Sequence, residues 1–217
     1  MKKAMLLFVS LLLSAGVNAA SVVTFDFAAY ADAPFSAGPN DPRGEQGGSA
    51  LSFTESGVNV VASGTAGKAA AFAYLDAGNA GLGLCKNLDG SAQCDPGNDD
   101  NVQMGELLKL TFDQNITLGI VDFVNGNHFN TFTGTVEIGS YFNGVWSFMS
   151  AALADIDETD LGLKGSMFTF LNTSTGTNNK EQFYINTLQA QVPVPAALFL
   201  FAPALLGFLG LRRRKAA

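Results

Sequence analysis

Charge is scarce in this chain: only 14% of its 217 residues are Asp, Glu, Lys or Arg. Six of the twelve cations, Lys2, Lys3, Arg212, Arg213, Arg214 and Lys215, sit at the two ends, leaving six to face all nineteen carboxylates in between. So acidic a middle repels phosphate backbones, which excludes a nucleic-acid surface. Histidine is scarcer still. His128 stands alone, which leaves little room for a Ser-His-Asp system, and Gly-x-Ser-x-Gly, His-Glu-x-x-His and a glycine-rich phosphate loop are all missing. The chain is therefore read as a non-enzyme. Nineteen acids keep a two-carboxylate glycoside hydrolase open as the alternative.

What the sequence does have is apolar runs at both ends. Met1-Lys2-Lys3 is followed by an apolar stretch from Ala4 to Leu13 and by Ser14-Ala15-Gly16-Val17-Asn18-Ala19. A charged start, about ten apolar residues and small residues at −3 and −1 are the parts of a secretory signal peptide, residues 1–19, cut by signal peptidase between Ala19 and Ala20. At the other end Val192-Pro193-Val194-Pro195-Ala196 precedes an apolar run to Leu211, then Arg212-Arg213-Arg214-Lys215. A helix over residues 196–211 would rise roughly 24 Å, slightly short of a bilayer core of roughly 30 Å. The four cations would stop transfer on the cytoplasmic side and leave the residues before Val192 outside.

Taken together, the Pro motif, apolar helix and Arg-rich end resemble the sorting tail of the PEP-CTERM family of exported bacterial proteins, in its VPLPA-CTERM form. The match covers residues 192–217, with Val192, Pro193, Pro195 and Ala196 on the motif and Val194 where the commoner form has Glu. The resemblance implies cleavage near the motif by the membrane protease exosortase. It further implies a passing stay in the inner membrane of a Gram-negative bacterium, then a place at the cell surface or in the extracellular matrix. Family members are often linked to biofilm and exopolysaccharide, which makes an extracellular polysaccharide the expected partner. A permanently anchored protein with an uncleaved tail is the competing fate.

Between the ends lie about 175 residues, enough for one domain, assigned to 20–191. No convincing helical run occurs there. Short alternating segments rich in β-branched and aromatic residues, separated by Gly, Asn, Asp and Pro, predict an all-β fold, an antiparallel β-sandwich of jelly-roll-like type. Expected strands are 21–27, 50–53, 58–62, 69–74, 107–112, 117–124, 131–141, 145–149, 167–171 and 182–190. Residues 34–49 read as a long loop, and 150–160 allow a helix of no more than two turns. Asn143-Gly144 predicts a two-residue hairpin turn, and Asn125-Gly126 a second. Most phenylalanines belong in the core by their alternation, while Tyr30, Phe35, Tyr141 and Trp146 lie near loops or strand ends, where they could stack on sugar rings.

Cys85 and Cys94 are the only cysteines. In an exported chain a disulfide is the natural pairing, worth roughly 2–3 kcal/mol for so short a loop; zinc would need further ligands that one histidine cannot supply. After the second cysteine come Asp95-Pro96-Gly97-Asn98-Asp99-Asp100-Asn101 and then Glu106. Such a density of oxygen ligands suits Ca²⁺, with Asp95, Asp99, Asp100 and Glu106 as candidates, against the plainer reading of a solvated acidic loop. The segment from Gly81 to Cys85, with Asp99-Asp100 and Glu106, also looks like a recurrent stretch of PEP-CTERM ectodomains. A second acidic cluster, residues 155–160, has Asp160 where an EF-hand needs Gly and fails that motif.

Overall fold

Alternation along the chain becomes strands wherever one face can be covered, and in the computed structural model, which describes residues 20–36 and 42–193, strands make up 61% and helix 6% of the structure. The fold is all-β and every pairing between its strands whose register is defined is antiparallel. Residues 22–191 form one compact unit. The signal segment, Pro195, Ala196, the tail helix and Arg212, Arg213, Arg214 and Lys215 lie outside the described residues. Among the described residues no helix is long and apolar enough to cross a membrane.

The strands are β1 (Ala20–Asp26), β2 (Gln46–Gly48), β3 (Leu51–Glu55), β4 (Val58–Ala66), β5 (Ala69–Asp76) and β6 (Gly81–Cys85), followed by β7 (Glu106–Asn125), β8 (Thr135–Phe142), β9 (Val145–Ala152), β10 (Thr159–Asn172) and β11 (Phe183–Pro193). Helices α1 (Phe27–Asp32) and α2 (Leu153–Ile156) are short. The hydrogen-bonded order is β1-β11-β6-β5-β4-β7-β10-β8-β9, with β2 on β5, β3 on β4 and a further pairing of β11 with β7.

That further pairing closes a ring through β7, β4, β5, β6 and β11. Five antiparallel partnerships cannot close around straight strands, because an odd number of reversals leaves one pair pointing the same way. The 20-residue β7 resolves the conflict by serving β4 with residues 106–112 and β11 with residues 117–125, while β10 runs along its other side. Its buried positions change phase on the way. Leu108, Leu110, Phe112, Ile116 and Leu118 face inward at even numbers, then Val121 and Phe123 at odd ones, and both partners shift register in the 117–122 region. Such irregularities sharpen bend and twist, which lets the sheet curl over its own apolar face.

The core gathers on that face in two aromatic groups. Phe25, Phe27, Tyr30, Phe53, Phe112 and Phe168 interlock mostly edge-to-face or tilted, and Phe123 sits edge-on to both Phe170 and Phe183. Edge-to-face contacts add about 0.5–1.5 kcal/mol each beyond the area they bury.

Several expectations are corrected. The strands expected at 107–112 and 117–124 are one strand, because β10 pairs with it on both sides of an irregularity at residues 112–115, which bends β7 without ending it. The strand expected at 167–171 begins at Thr159, its first part having paired against the second half of β7. Residues 131–134 are loop, since Asn125 holds Thr131 away from the sheet by donating to its carbonyl at 2.7 Å. The loop expected at 34–49 contains β2, and Gly81–Cys85 is a buried strand that its glycines had concealed. Phe27 opens α1 instead of ending β1: the Asp26 carboxylate accepts from the amide of Ala29 at 2.8 Å and caps the helix.

The two Asn-Gly pairs part company. Asn143 and Gly144 have φ of 52° and 86° and join Phe142 to its partner Val145, the type I′ hairpin expected. Asn125-Gly126 makes no hairpin, because β10 lies between β7 and β8. There the Asn125 side chain is fully buried and accepts from the amides of Asn127 and Phe129, building a loop instead of a tight turn.

Candidate functional site

The disulfide between Cys85 and Cys94 is formed and closes the loop after β6. Two regions near it and away from it have chemistry to offer. The first is a polar groove of about 490 Å³ lined by Asn98, Asp100, Gln103, His128, Asn179 and Gln182 among others. The second is an exposed aromatic row on β8 and β9.

The groove exists because β6 is glycine-rich. A Cβ on Gly83 would come within 2.1 Å of the Asp100 carbonyl oxygen, so only glycine lets the loop after the disulfide lie directly on the strand. The loop is then pinned to β11 through Val102, whose amide donates to Phe183 O at 2.8 Å. This sets Asp100 beside Tyr184, and the phenol donates to Asp100 Oδ1 at 2.6 Å.

His128 comes in from the loop after β7. Its Nδ1 donates to Gly78 O at 2.9 Å, and its Nε2 stands 3.1 Å from Asp76 Oδ2. Burial, then the charge of Asp100, raises the Asp76 pKa from 3.8 to about 6. Burial likewise raises Asp100, against the pull of the Tyr184 hydrogen bond, and raises Tyr184 as well. The Asn101 side chain is 3% exposed and its Oδ1 has no partner.

The four residues expected to gather around calcium are split by the structure. Asp99 and Glu106 turn to Lys86, whose Nζ is 2.5 Å from Asp99 Oδ1 and 2.7 Å from Glu106 Oε1. Burial favours the neutral form of Lys86, but those two carboxylates outweigh it and raise its pKa. Both acids are buried, so the cluster ties the end of β6 to the start of β7. Asp100 points instead to the groove, and Asp95 is exposed. Asp76, Asn101 and Tyr184 carried no sequence signal: a strand end, a loop amide and a core-facing aromatic become neighbours only through the fold. In the second acidic cluster, Asp157 Oδ1 accepts from Phe123 N at 2.8 Å, a local structural bond.

The aromatic row arises from the hairpin register. Tyr141 pairs with Trp146 across the turn, and Phe148 follows two residues on along β9, so all three share a face. Trp146 and Phe148 are parallel to within 13° with centroids 5.7 Å apart, and Tyr141 tilts against Trp146 at 5.3 Å. A separation well beyond ring thickness means offset rings, so they form a slanted apolar strip. Phe148 is 61% exposed and Trp146 39%. β9 terminates the strand order and carries no charged residue. Of the other aromatics expected at loops, Phe35 is exposed, but Tyr30 is buried, with Arg43 over its ring and its hydroxyl on Glu55.

Neither the protein-family models, nor the curated proteins, nor the solved structures contain a match to this chain.

Proposed function

We propose that this is an exported, non-enzymatic protein of the cell surface or extracellular matrix, with a jelly-roll-like sandwich that rests on polysaccharide. The observation that carries the binding role is the Tyr141, Trp146 and Phe148 strip, an exposed apolar surface of a kind that soluble proteins usually keep for a partner. Pyranose rings present flat C–H faces that pack on such strips, while Ser150 of β9, two residues beyond Phe148 on the same face, offers a hydroxyl at its margin. The excess of carboxylates favours a neutral glycan over a polyanionic one. Delivery follows from the ends of the sequence: signal peptidase frees Ala20, the tail holds the chain in the inner membrane, and exosortase cuts near Val192, Pro193, Pro195 and Ala196. The curled sheet, with its ring of pairings and buried apolar face, supports the sandwich.

Two experiments test this. Intact mass from membrane and extracellular fractions of the host is expected to show a species beginning at Ala20 and ending between Val192 and Ala196; a species that keeps Arg212 to Ala217 in the membrane would mean permanent anchoring. Affinity electrophoresis against purified neutral and acidic glycans is expected to show retardation by a neutral one, lost in Trp146→Ala. Turnover of any glycan, abolished by Asp100→Asn, would overturn the non-enzymatic part.

A further inference from the structure

The sequence holds two Asn-x-Ser/Thr triplets, Asn115-Ile116-Thr117 and Asn172-Thr173-Ser174. Such a triplet is the acceptor signal for a glycan on the asparagine amide, provided the chain is exported and the asparagine reaches the surface. The fold treats the two in opposite ways. Asn172 is 1% exposed, and its Nδ2 donates to Val102 O at 2.9 Å and to Glu181 O at 2.7 Å. Its side-chain oxygen accepts from Ser174 N at 3.0 Å. Both amide hydrogens and the oxygen are thus engaged inside the protein, where no sugar can be attached.

Asn115 sits where β7 bends. Asn115 and Asp113 are both exposed, and the registers with β4, β10 and β11 give residues 113–115 no partner. Pairing with β4 stops at Phe112, pairing with β11 reaches Thr117, and β10 jumps from Thr111 to Ile116. Alternation turns Ile116 inward, at 2% exposed, and places the Asn115 amide and the Thr117 hydroxyl together on the opposite side. Asp113, two positions ahead of the acceptor, completes the acidic form of the signal that bacterial transferases of this kind read.

We propose that Asn115 carries an N-linked glycan, transferred from a polyprenyl-diphosphate-linked oligosaccharide. Because that donor is used on the outer side of the inner membrane, the modification rests on the export proposed above. The Asn115 Nδ2 forms a C–N bond to the anomeric carbon of the first sugar as the C–O bond to the diphosphate breaks. The diphosphate leaves with the bonding pair and the amide gives up one proton to the medium, so no oxidant or reductant is needed. A glycan at the bend would cover a stretch that no neighbouring strand pairs, and would add hydrophilic bulk to a chain with few charges.

Full-length gene product recovered from the membrane and extracellular fractions of the host is digested, and its peptides are read by mass spectrometry with fragmentation. The Asn115 peptide should carry a mass increment made of sugar residues and release sugar fragment ions, while the Asn172 peptide stays bare. Asn115→Gln and Thr117→Val should each lose the increment, and Thr117→Ser should keep it, since the signal needs the hydroxyl and not the methyl. Asn115→Gln alters an exposed side chain, so its loss of the increment is not a failure to fold. A bare Asn115 peptide in a chain that begins at Ala20 overturns the proposal and leaves export standing. A bare peptide in a chain that still begins at Met1 overturns both. An increment that survives Asn115→Gln puts the sugar on another residue and overturns the proposal as well.

Discussion

Two groups of aromatic residues, both on alternating strands, meet opposite fates. Phe123, Phe170 and Phe183 lie in the interior with no exposed surface, whereas Tyr141, Trp146 and Phe148 lie on the last two strands of the order, with Trp146 and Phe148 open to solvent. The difference is not in the pattern. β7 is flanked by β10 on one side and by β4 and β11 on the other, and the curl of the sheet brings the remaining apolar face over it. β9 has a single neighbour among the described strands, and nothing described covers its aromatic face. Alternation tells which residues share a face; only topology tells whether that face is inside.

The sharpest way to break the comparison is to cut the interior group. Phe123→Ala should cost about 3–5 kcal/mol in urea unfolding, because the ring is fully buried and edge-on to two others that cannot both close the space. A cost below about 1 kcal/mol would mean that the two groups are not energetically distinct.

Next in size is the staple beside the groove. Replacing Cys85 and Cys94 together with Ser should lower stability by about 2–3 kcal/mol, the loop-entropy value for nine residues of separation. Tyr74 and Leu88 pack on the disulfide, so the loss is expected to fall on the acidic loop more than on the aromatic strip. Hydrogen exchange reads this directly: faster exchange confined to residues 86–103 sharpens the contrast, and equal loosening of β9 removes it.

A smaller effect belongs to the second half of β7. Asp122 has a carboxyl oxygen without a partner, and burial, then Asp157, Glu158 and Asp26, raises its pKa from 3.8 to about 6. An acid raised in the folded state contributes stability below its unfolded pKa and loses it as pH rises through the folded value. Asp122→Asn should therefore be more stable than wild type near pH 7 by about 1 kcal/mol, after allowance for solvent screening of a partly exposed group, and equal to it near pH 4. Denaturation curves across that range check the sign; a gap independent of pH would trace to packing.

How much of this was legible in the residues follows the range of the interactions. The alternation that places most phenylalanines in the core, the Asn143-Gly144 turn and the cysteine pair are encoded within a few positions, and the structure bears them out. What failed is what depends on distant partners. Asn125-Gly126 has the same letters as the other turn, yet β10 occupies the place its hairpin would need. Asp99 and Asp100 are adjacent and of the same residue type, but one answers to Lys86 and the other to Tyr184, 84 positions away. Gly81–Cys85 hid a buried strand because its glycines serve a backbone passing overhead, a partner the local sequence cannot show. The cap at Asp26 is local too, an acid before an Ala-rich run, yet the alternation of β1 carried the expected strand one residue past it.

The smallest stability effect is the most informative for function. Trp146→Ala with Phe148→Ala removes large side chains, but Phe148 is mostly in water and Trp146 more than a third so, and the backbone pairing of β8 with β9 does not need them. Stability should therefore change by no more than about 0.5–1 kcal/mol, the cross-strand contact with Tyr141 being the main loss. Retardation by a neutral glycan should vanish in the same protein. Interior aromatics would then hold the fold and edge aromatics the partner, each dispensable for the other's task. If instead the double variant unfolds like Phe123→Ala, the strip is part of the core in solution, and the face that looks open must be covered there by something else, the simplest candidate being a second copy pairing at the uncharged edge of β9.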